Sequence, residues 1–140
     1  LGRPVLLSLS KAIESKRKKY YIELGKAQQT LEITSWIKFF VNTVLLAQID
    51  AENEINFTLG KVKFFDMYKS QLNKRQLKLM TRMFDEGPQG FKGGMNAGKY
   101  VRICKVSKAT VTRDLQYLTE IKALLVSGGG RSTSYQVNLD

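Results

Sequence analysis

The stretch Val106-Ser-Lys-Ala-Thr-Val-Thr-Arg-Asp-Leu-Gln-Tyr-Leu-Thr-Glu-Ile-Lys-Ala-Leu-Leu125 decides the fold. Ser107 is a good helix N-cap, because its hydroxyl can accept from an orphan backbone N–H of the first turn. Val111, Leu115 and Leu118 follow at helical spacing and mark one buried face. The other side of the first two turns carries Lys108, Thr110, Thr112 and Arg113. A helix that is short-chained, polar and basic at its start, and apolar along its back, suits a DNA major groove.

The neighbouring segments extend the pattern. Asn96 to Cys104 reads as a short helix capped by Asn96, with Ala97, Tyr100, Val101 and Cys104 inward and Lys105-Val106 as the turn into the next helix. Downstream, Leu124-Leu125-Val126 reads as a strand and Gly128-Gly129-Gly130 as a turn. Ser132 to Leu139 reads as a second strand, with Tyr135, Val137 and Leu139 alternating with polar residues. A helix-turn-helix followed at once by a glycine-tipped hairpin is the pattern of a winged helix. Arg131 at the tip is placed to reach a phosphate or a minor groove.

Upstream, Leu6 to about Gln29 reads as one helix with Leu9, Ile13, Tyr20, Leu24 and Ala27 near one face. Its run Lys16-Arg17-Lys18-Lys19 fits a solvated side. Thr34 or Ser35 caps a second helix with a broad apolar face of Trp36, Ile37, Phe40, Val41, Val44 and Leu45. A third runs from about Ala51 to Ser70 with Ile55, Leu59 and Val62 inward, then Phe64, Phe65 and Tyr68. Asn73 caps a fourth, which buries Leu77, Met80 and Phe84. Gly87-Pro88-Gln89-Gly90 stops it, and Phe91 starts a short strand or packs under the hairpin. The expected architecture is mainly α: three N-terminal helices over residues 1–71, then a winged helix-turn-helix domain with a small β-hairpin over residues 72–140.

Charge points to a partner. The 140 residues carry a formal net charge of +11 and no histidine. Up to Leu72 there are 11 Lys and Arg against 7 Asp and Glu, a net of +4; beyond it, 12 against 5 leave +7 on fewer residues. A concentrated basic excess favours polyanions through counterion release. The single Cys104 forms no internal disulfide and fits a packed thiol in a reduced, cytoplasmic protein. The most apolar run, Trp36 to Ile49, is broken by Lys38, Asn42, Thr43 and Gln48 and is not a membrane span.

A family resemblance rests on several motifs. Pro4 to Ile13, Arg17 with Tyr20-Tyr21 and Leu24, and Ile33-Thr-Ser-Trp-Ile-Lys-Phe-Phe40 resemble the region just after the active site in the Fic (filamentation induced by cAMP) family. Leu72-Asn-Lys-Arg-Gln76, Val106 to Leu115 and Gly128-Gly-Gly-Arg-Ser-Thr-Ser-Tyr135 resemble the C-terminal winged helix of longer bacterial members. One departure is visible: the family often has Gly near Lys122, where the helix ends.

The resemblance implies a parent that transfers AMP from ATP, with Mg, to protein hydroxyls through a loop His-Pro-Phe-x-x-Gly-Asn-Gly-Arg. Without a histidine, this chain cannot hold that loop, so no catalytic residue carries over. The lack of an initiating Met fits a fragment cut just past it. Serine and cysteine triads and His-based zinc sites are excluded on the same ground, and no metal site is expected. Asp50, Glu52 and Glu54 read as a solvated helix start. Gly128 to Arg131 is not a phosphate loop, since no helix follows it.

Two functions remain. In the first, a DNA-binding module regulates or targets a Fic enzyme: Lys108, Thr110 and Arg113 approach bases, while Thr112, Lys99, Arg102 and Arg131 touch phosphates. In the second, the winged helix is a protein-interaction module that docks on the rest of its own Fic domain, on a sister subunit in a homodimer, or on a substrate. Ala109 is the only small apolar residue in the first turn, which favours DNA. Symmetric DNA sites would call for a dimer, yet no coiled-coil heptad is visible to hold one.

Overall fold

The computed structural model describes residues 6–139, with the side chains of residues 6–8 and 131 outside the description. The chain forms two compact units, Leu1–Ile55 and Asn56–Asp140. Among the described residues, six α-helices and one two-stranded antiparallel hairpin make a mainly helical protein.

The first unit holds α1 (Leu6–Ser15), α2 (Arg17–Ala27) and the first turns of α3 (Thr34–Tyr68). The single helix expected from Leu6 to Gln29 is broken at Lys16, which leaves the helical region at φ −115°, ψ 22°. Ser15 contributes to the break: its hydroxyl donates to the Ala12 carbonyl at 2.8 Å and competes with the backbone ladder. Tyr20 packs edge-on against Trp36 at 5.3 Å between ring centroids, and the Lys19 ammonium sits 5.8 Å from the centre of the Phe39 ring.

Helix α3 corrects two further expectations. It runs without interruption for 35 residues, where the sequence suggested a break near Asp50. Asp50, Glu52 and Glu54 are therefore exposed mid-helix residues rather than a helix start, with Glu54 paired to Lys11 at 3.3 Å. The buried line in the first unit is Phe39, Thr43 and Ala47, at i, i+4 and i+8. Ile37, Phe40, Val41 and Leu45 lie exposed. Thr43 can sit inside because its hydroxyl donates to the Phe39 carbonyl at 2.8 Å, which satisfies it within the helix.

The second unit is built on the last turns of α3, then α4 (Lys74–Asp85), α5 (Ala97–Cys104), α6 (Lys108–Glu120), β1 (Leu124–Ser127) and β2 (Ser134–Val137). Its core contains Phe64, Leu79, Met80, Met83, Phe84, Met95, Tyr100, Val111, Leu115, Leu118, Ala123 and Leu124. From α3 the inward line is aromatic: Phe57, Phe64 and Phe65 surround Phe84 at 5.7, 5.2 and 5.2 Å, within the range of favourable ring contacts. Leu59 and Val62, expected inward, are on the exposed side, and so is Ile55 at the end of the first unit. Phe57, Phe64 and Phe65 of α3 pack into this core, and the second compact unit begins at Asn56.

In the hairpin Leu124 pairs with Val137 and Ser127 with Ser134, so the second strand is shorter than Ser132 to Leu139. Gly128 has φ +75°, and a Cβ there would lie 2.5 Å from the Ser132 carbonyl oxygen, so only glycine fits the turn. Phe91 is partly buried against the core but starts no strand; the third edge is a single bridge between Met95 and Tyr135. Among the described residues, no helix is long and apolar enough to cross a membrane.

Candidate nucleic-acid interface

Three capped helices hold the candidate surface. The Asn73 side chain accepts from the backbone of Arg75 and Gln76, while the Gln76 side chain accepts from the Asn73 backbone N–H at 3.0 Å, completing a capping box on α4. Asn96 caps α5 through the Lys99 N–H, and Ser107 caps α6 through the Thr110 N–H. Between α5 and α6, Lys105 takes a left-handed conformation, φ +53°, which ends α5 and turns the chain.

Behind α6 lies a group that the sequence reading did not single out. Asp114 is buried, and its carboxylate accepts from Arg75 Nε at 2.6 Å, Arg75 Nη2 at 2.8 Å, Gln76 Nε2 at 3.1 Å and the Tyr100 hydroxyl at 2.6 Å. α4, α5 and α6 are tied through one side chain. Burial pushes the Asp114 carboxyl up, but the bonds from Arg75, Tyr100 and Gln76 outweigh that and hold it below its ordinary value. Burial and the same carboxylate push the Tyr100 phenol well up. Cys104 is half-buried with its thiol facing the Arg75 carbonyl at 3.6 Å, and burial raises its pKa, away from the reactive thiolate.

With Val111, Asp114, Leu115 and Leu118 facing inward, the outermost line of α6 is Ala109, Arg113, Gln116 and Glu120, at i, i+4, i+7 and i+11. All four are exposed, as are Lys108 and Thr112 beside them. Of the residues expected from sequence to approach bases, Lys108 and Arg113 are on the open surface. Thr110 is half-buried, with its hydroxyl 2.9 Å from that of Ser107. The Thr112 hydroxyl donates to the Lys108 carbonyl at 3.0 Å. Gln116 went unnoticed in the sequence, although its 4-3-4 spacing with Ala109, Arg113 and Glu120 is legible there. Its Nε2 donates to Glu120 Oε1 at 3.1 Å.

The expected phosphate contacts separate into two kinds. Arg102 is exposed, with only a long 3.4 Å bond from Nε to the Gly98 carbonyl. Lys99 is engaged internally: its ammonium donates to the carbonyls of Lys92 and Gly94, both at 2.6 Å, and lies 5.4 Å from the centre of the Phe91 ring. It fastens the glycine-rich loop before α5 and has little left for a phosphate. The Arg131 side chain lies outside the described residues; its backbone is part of a single 3-10 turn, Gly130–Ser132, at the hairpin tip.

Between α6 and the hairpin runs an open groove of about 420 Å³, with Ala97, Leu115, Val126 and Tyr135 as apolar lining and Thr112 and Gln116 on the helix side. Among the described residues, no group of three metal-ligating side chains comes together. No protein-family model matches the chain, and no curated protein matches it.

Proposed function

We propose that residues 72–140 are a winged helix-turn-helix that binds duplex DNA through α6, and that the chain is the C-terminal regulatory region of a Fic-family protein. The observation that carries the DNA reading is the outward surface at the start of α6. Lys108, Thr112 and Arg113 are exposed there, the one apolar residue in the first turn is Ala109, and the back of the helix is held by a buried core and the Asp114 bonds. Short polar and basic side chains on a rigid helix suit a groove lined by base edges and flanked by phosphates. The +7 balance beyond Leu72 supplies the field that draws a polyanion in. The family assignment rests on the quoted motifs alone. Under it, adenylyl transfer with ATP and Mg is the work of the part that carries the His-containing loop, and this chain, without a histidine, contributes targeting or control.

A protein-interaction module is the second reading, favoured by one feature. Val126 on β1 is about half exposed, 51%, and forms part of the apolar lining of the groove. An apolar segment of a partner, a sister subunit or the rest of a Fic domain would fit there.

Fluorescence anisotropy with a mixed-sequence duplex separates the two. The DNA reading requires binding at low salt that weakens steeply as salt rises, and that is further weakened in the Lys108→Ala/Arg113→Ala double variant. No binding at low salt, or binding unchanged in the variant, would sink it.

A further inference from the structure

Gln116 occupies a position on α6 that the charge pattern alone does not pick out. It is exposed, on the same outermost line as Arg113, and one turn beyond Thr112. A glutamine has a rotatable amide that can present either its oxygen or its nitrogen to a given side. Here the choice is made: one Nε2 hydrogen is given to Glu120 at 3.1 Å, which leaves the amide oxygen and the second Nε2 hydrogen for an outside partner. An acceptor and a donor side by side on one planar group match the N6 donor and N7 acceptor of adenine in the major groove. Glu120 is otherwise out of place on a surface that meets phosphates, since its charge repels them. Its position is explained if it serves to orient Gln116.

We infer that Gln116, oriented by Glu120, is a specificity-determining residue that reads an adenine in duplex DNA, close to a guanine read by Arg113; this rests on the DNA-binding reading above. The spacing agrees. Three residues of helix span about 4.5 Å, and stacked base pairs are about 3.4 Å apart, so the two side chains address adjacent or next-but-one base pairs. Ala109, on the same line one turn earlier, adds only a methyl-sized contact. Glu120 is a positioning residue in this scheme: it touches Gln116 and no base.

The test is selection of the full 140-residue chain against a randomised duplex library, repeated with Arg113→Ala, Gln116→Ala and Glu120→Ala. All three side chains are exposed, so the variants keep the fold, which circular dichroism verifies. Wild type should enrich an adenine adjacent or next-but-one to a guanine. Gln116→Ala should lose the adenine column alone and Arg113→Ala the guanine column alone. Glu120→Ala should blur the adenine column while binding non-specific duplex more tightly, because a negative charge has gone. On the selected site, replacing that adenine with 7-deazaadenine removes the N7 acceptor and should weaken wild-type binding about tenfold, in the range of one bidentate base contact. It should leave Gln116→Ala unchanged. An adenine column that survives Gln116→Ala, or duplexes retained with no base preference, would overturn the inference and leave DNA binding standing. If no duplex is retained at low salt, DNA binding and the inference fall together.

Discussion

Arg75 and Asp114 meet in a two-pronged ion pair, Nε to Oδ2 at 2.6 Å and Nη2 to Oδ1 at 2.8 Å, across 39 residues of sequence. The parallel fork fixes direction as well as distance, so the pair sets the angle between α4 and α6. Asp114 follows Arg113 directly in the sequence, and its anchoring behind the helix determines how Arg113 is presented in front. The carboxylate is nearly closed to water, whereas the Arg75 side chain is 35% exposed, so the desolvation cost falls mainly on the acid.

Replacing Asp114 should therefore cost more than replacing Arg75. Asp114→Ala leaves the buried Tyr100 hydroxyl and Gln76 amide without their acceptor and the guanidinium without its counter-charge. A loss of roughly 3 kcal/mol is expected. Arg75→Ala leaves a carboxylate that still accepts from Tyr100 and Gln76 and that water can reach through the vacated space, for a loss of about 2 kcal/mol. Urea unfolding of the two variants measures the difference. Equal or reversed losses would show that the network is not centred on the acid.

The same groups set the pH limits of stability. Asp114 has its pKa lowered on folding, so its contribution is present above the unfolded value, around 4, and is lost as pH falls through the lower folded value. Tyr100 has its pKa raised on folding, so its contribution is intact below the unfolded value, around 10, and is lost as pH rises beyond it. Asp114→Asn should flatten the acid limb of a stability–pH curve and leave the alkaline limb. Tyr100→Phe should flatten the alkaline limb and keep most of the acid one. Thermal melts from pH 2 to 11 check both.

Lys122 carries a backbone cost that glycine would relieve. It follows the end of α6 at φ +60°, a region where a side chain is disfavoured by about 1–2 kcal/mol. Its carbonyl is well used, accepting from Asn138 Nδ2 at 2.9 Å and the Tyr68 hydroxyl at 3.4 Å, and those bonds need no side chain at Lys122. Glycine also gains freedom in the unfolded chain, which offsets part of the relief. Lys122→Gly should raise stability by about 0.5–1 kcal/mol, read as a higher urea midpoint at constant slope. A loss of stability would mean that the ammonium group has a role its exposure conceals.

What was legible in the sequence was what local chemistry decides. Asn73, Asn96 and Ser107 cap the helices expected of them because a cap needs only its own side chain and the next few N–H groups. The hairpin was legible because three glycines interrupt an alternating pattern. The breaks in the N-terminal unit were not: no Gly or Pro marks Lys16, where the chain turns, and nothing but a cluster of acids suggested the interruption of α3 that does not occur. Which face of α3 is inward depends on partners far away in sequence. Ile37 and Val41 lost to Phe39 and Thr43, and Leu59 and Val62 to Phe57 and Phe64. At the candidate site, Lys108 and Arg113 could be found by charge and period. The engagement of Lys99 with Lys92 and Gly94 could not, since it depends on how the loop folds back.

That engagement gives the sharpest contrast among the basic residues. A lysine that contacts phosphate releases counterions, and its removal should lower the slope of log K against log salt by about one unit. Lys108→Ala and Arg102→Ala, both exposed on the surface, should each do so if the second unit binds DNA as proposed. Lys99→Ala should leave the slope nearly unchanged, because its ammonium donates to two carbonyls of its own loop and lies beside the Phe91 ring. It should instead loosen residues 91–95, including the bridge in which Met95 and Tyr135 exchange backbone bonds at 2.8 and 3.2 Å. Faster amide exchange at Met95 and Tyr135 would report that loosening. The pairing of an unchanged salt slope with faster exchange separates a structural lysine from a phosphate-binding one. If Lys99→Ala instead lowers the slope by a full unit, then the ammonium leaves the loop when DNA arrives, and the loop before α5 becomes part of the interface.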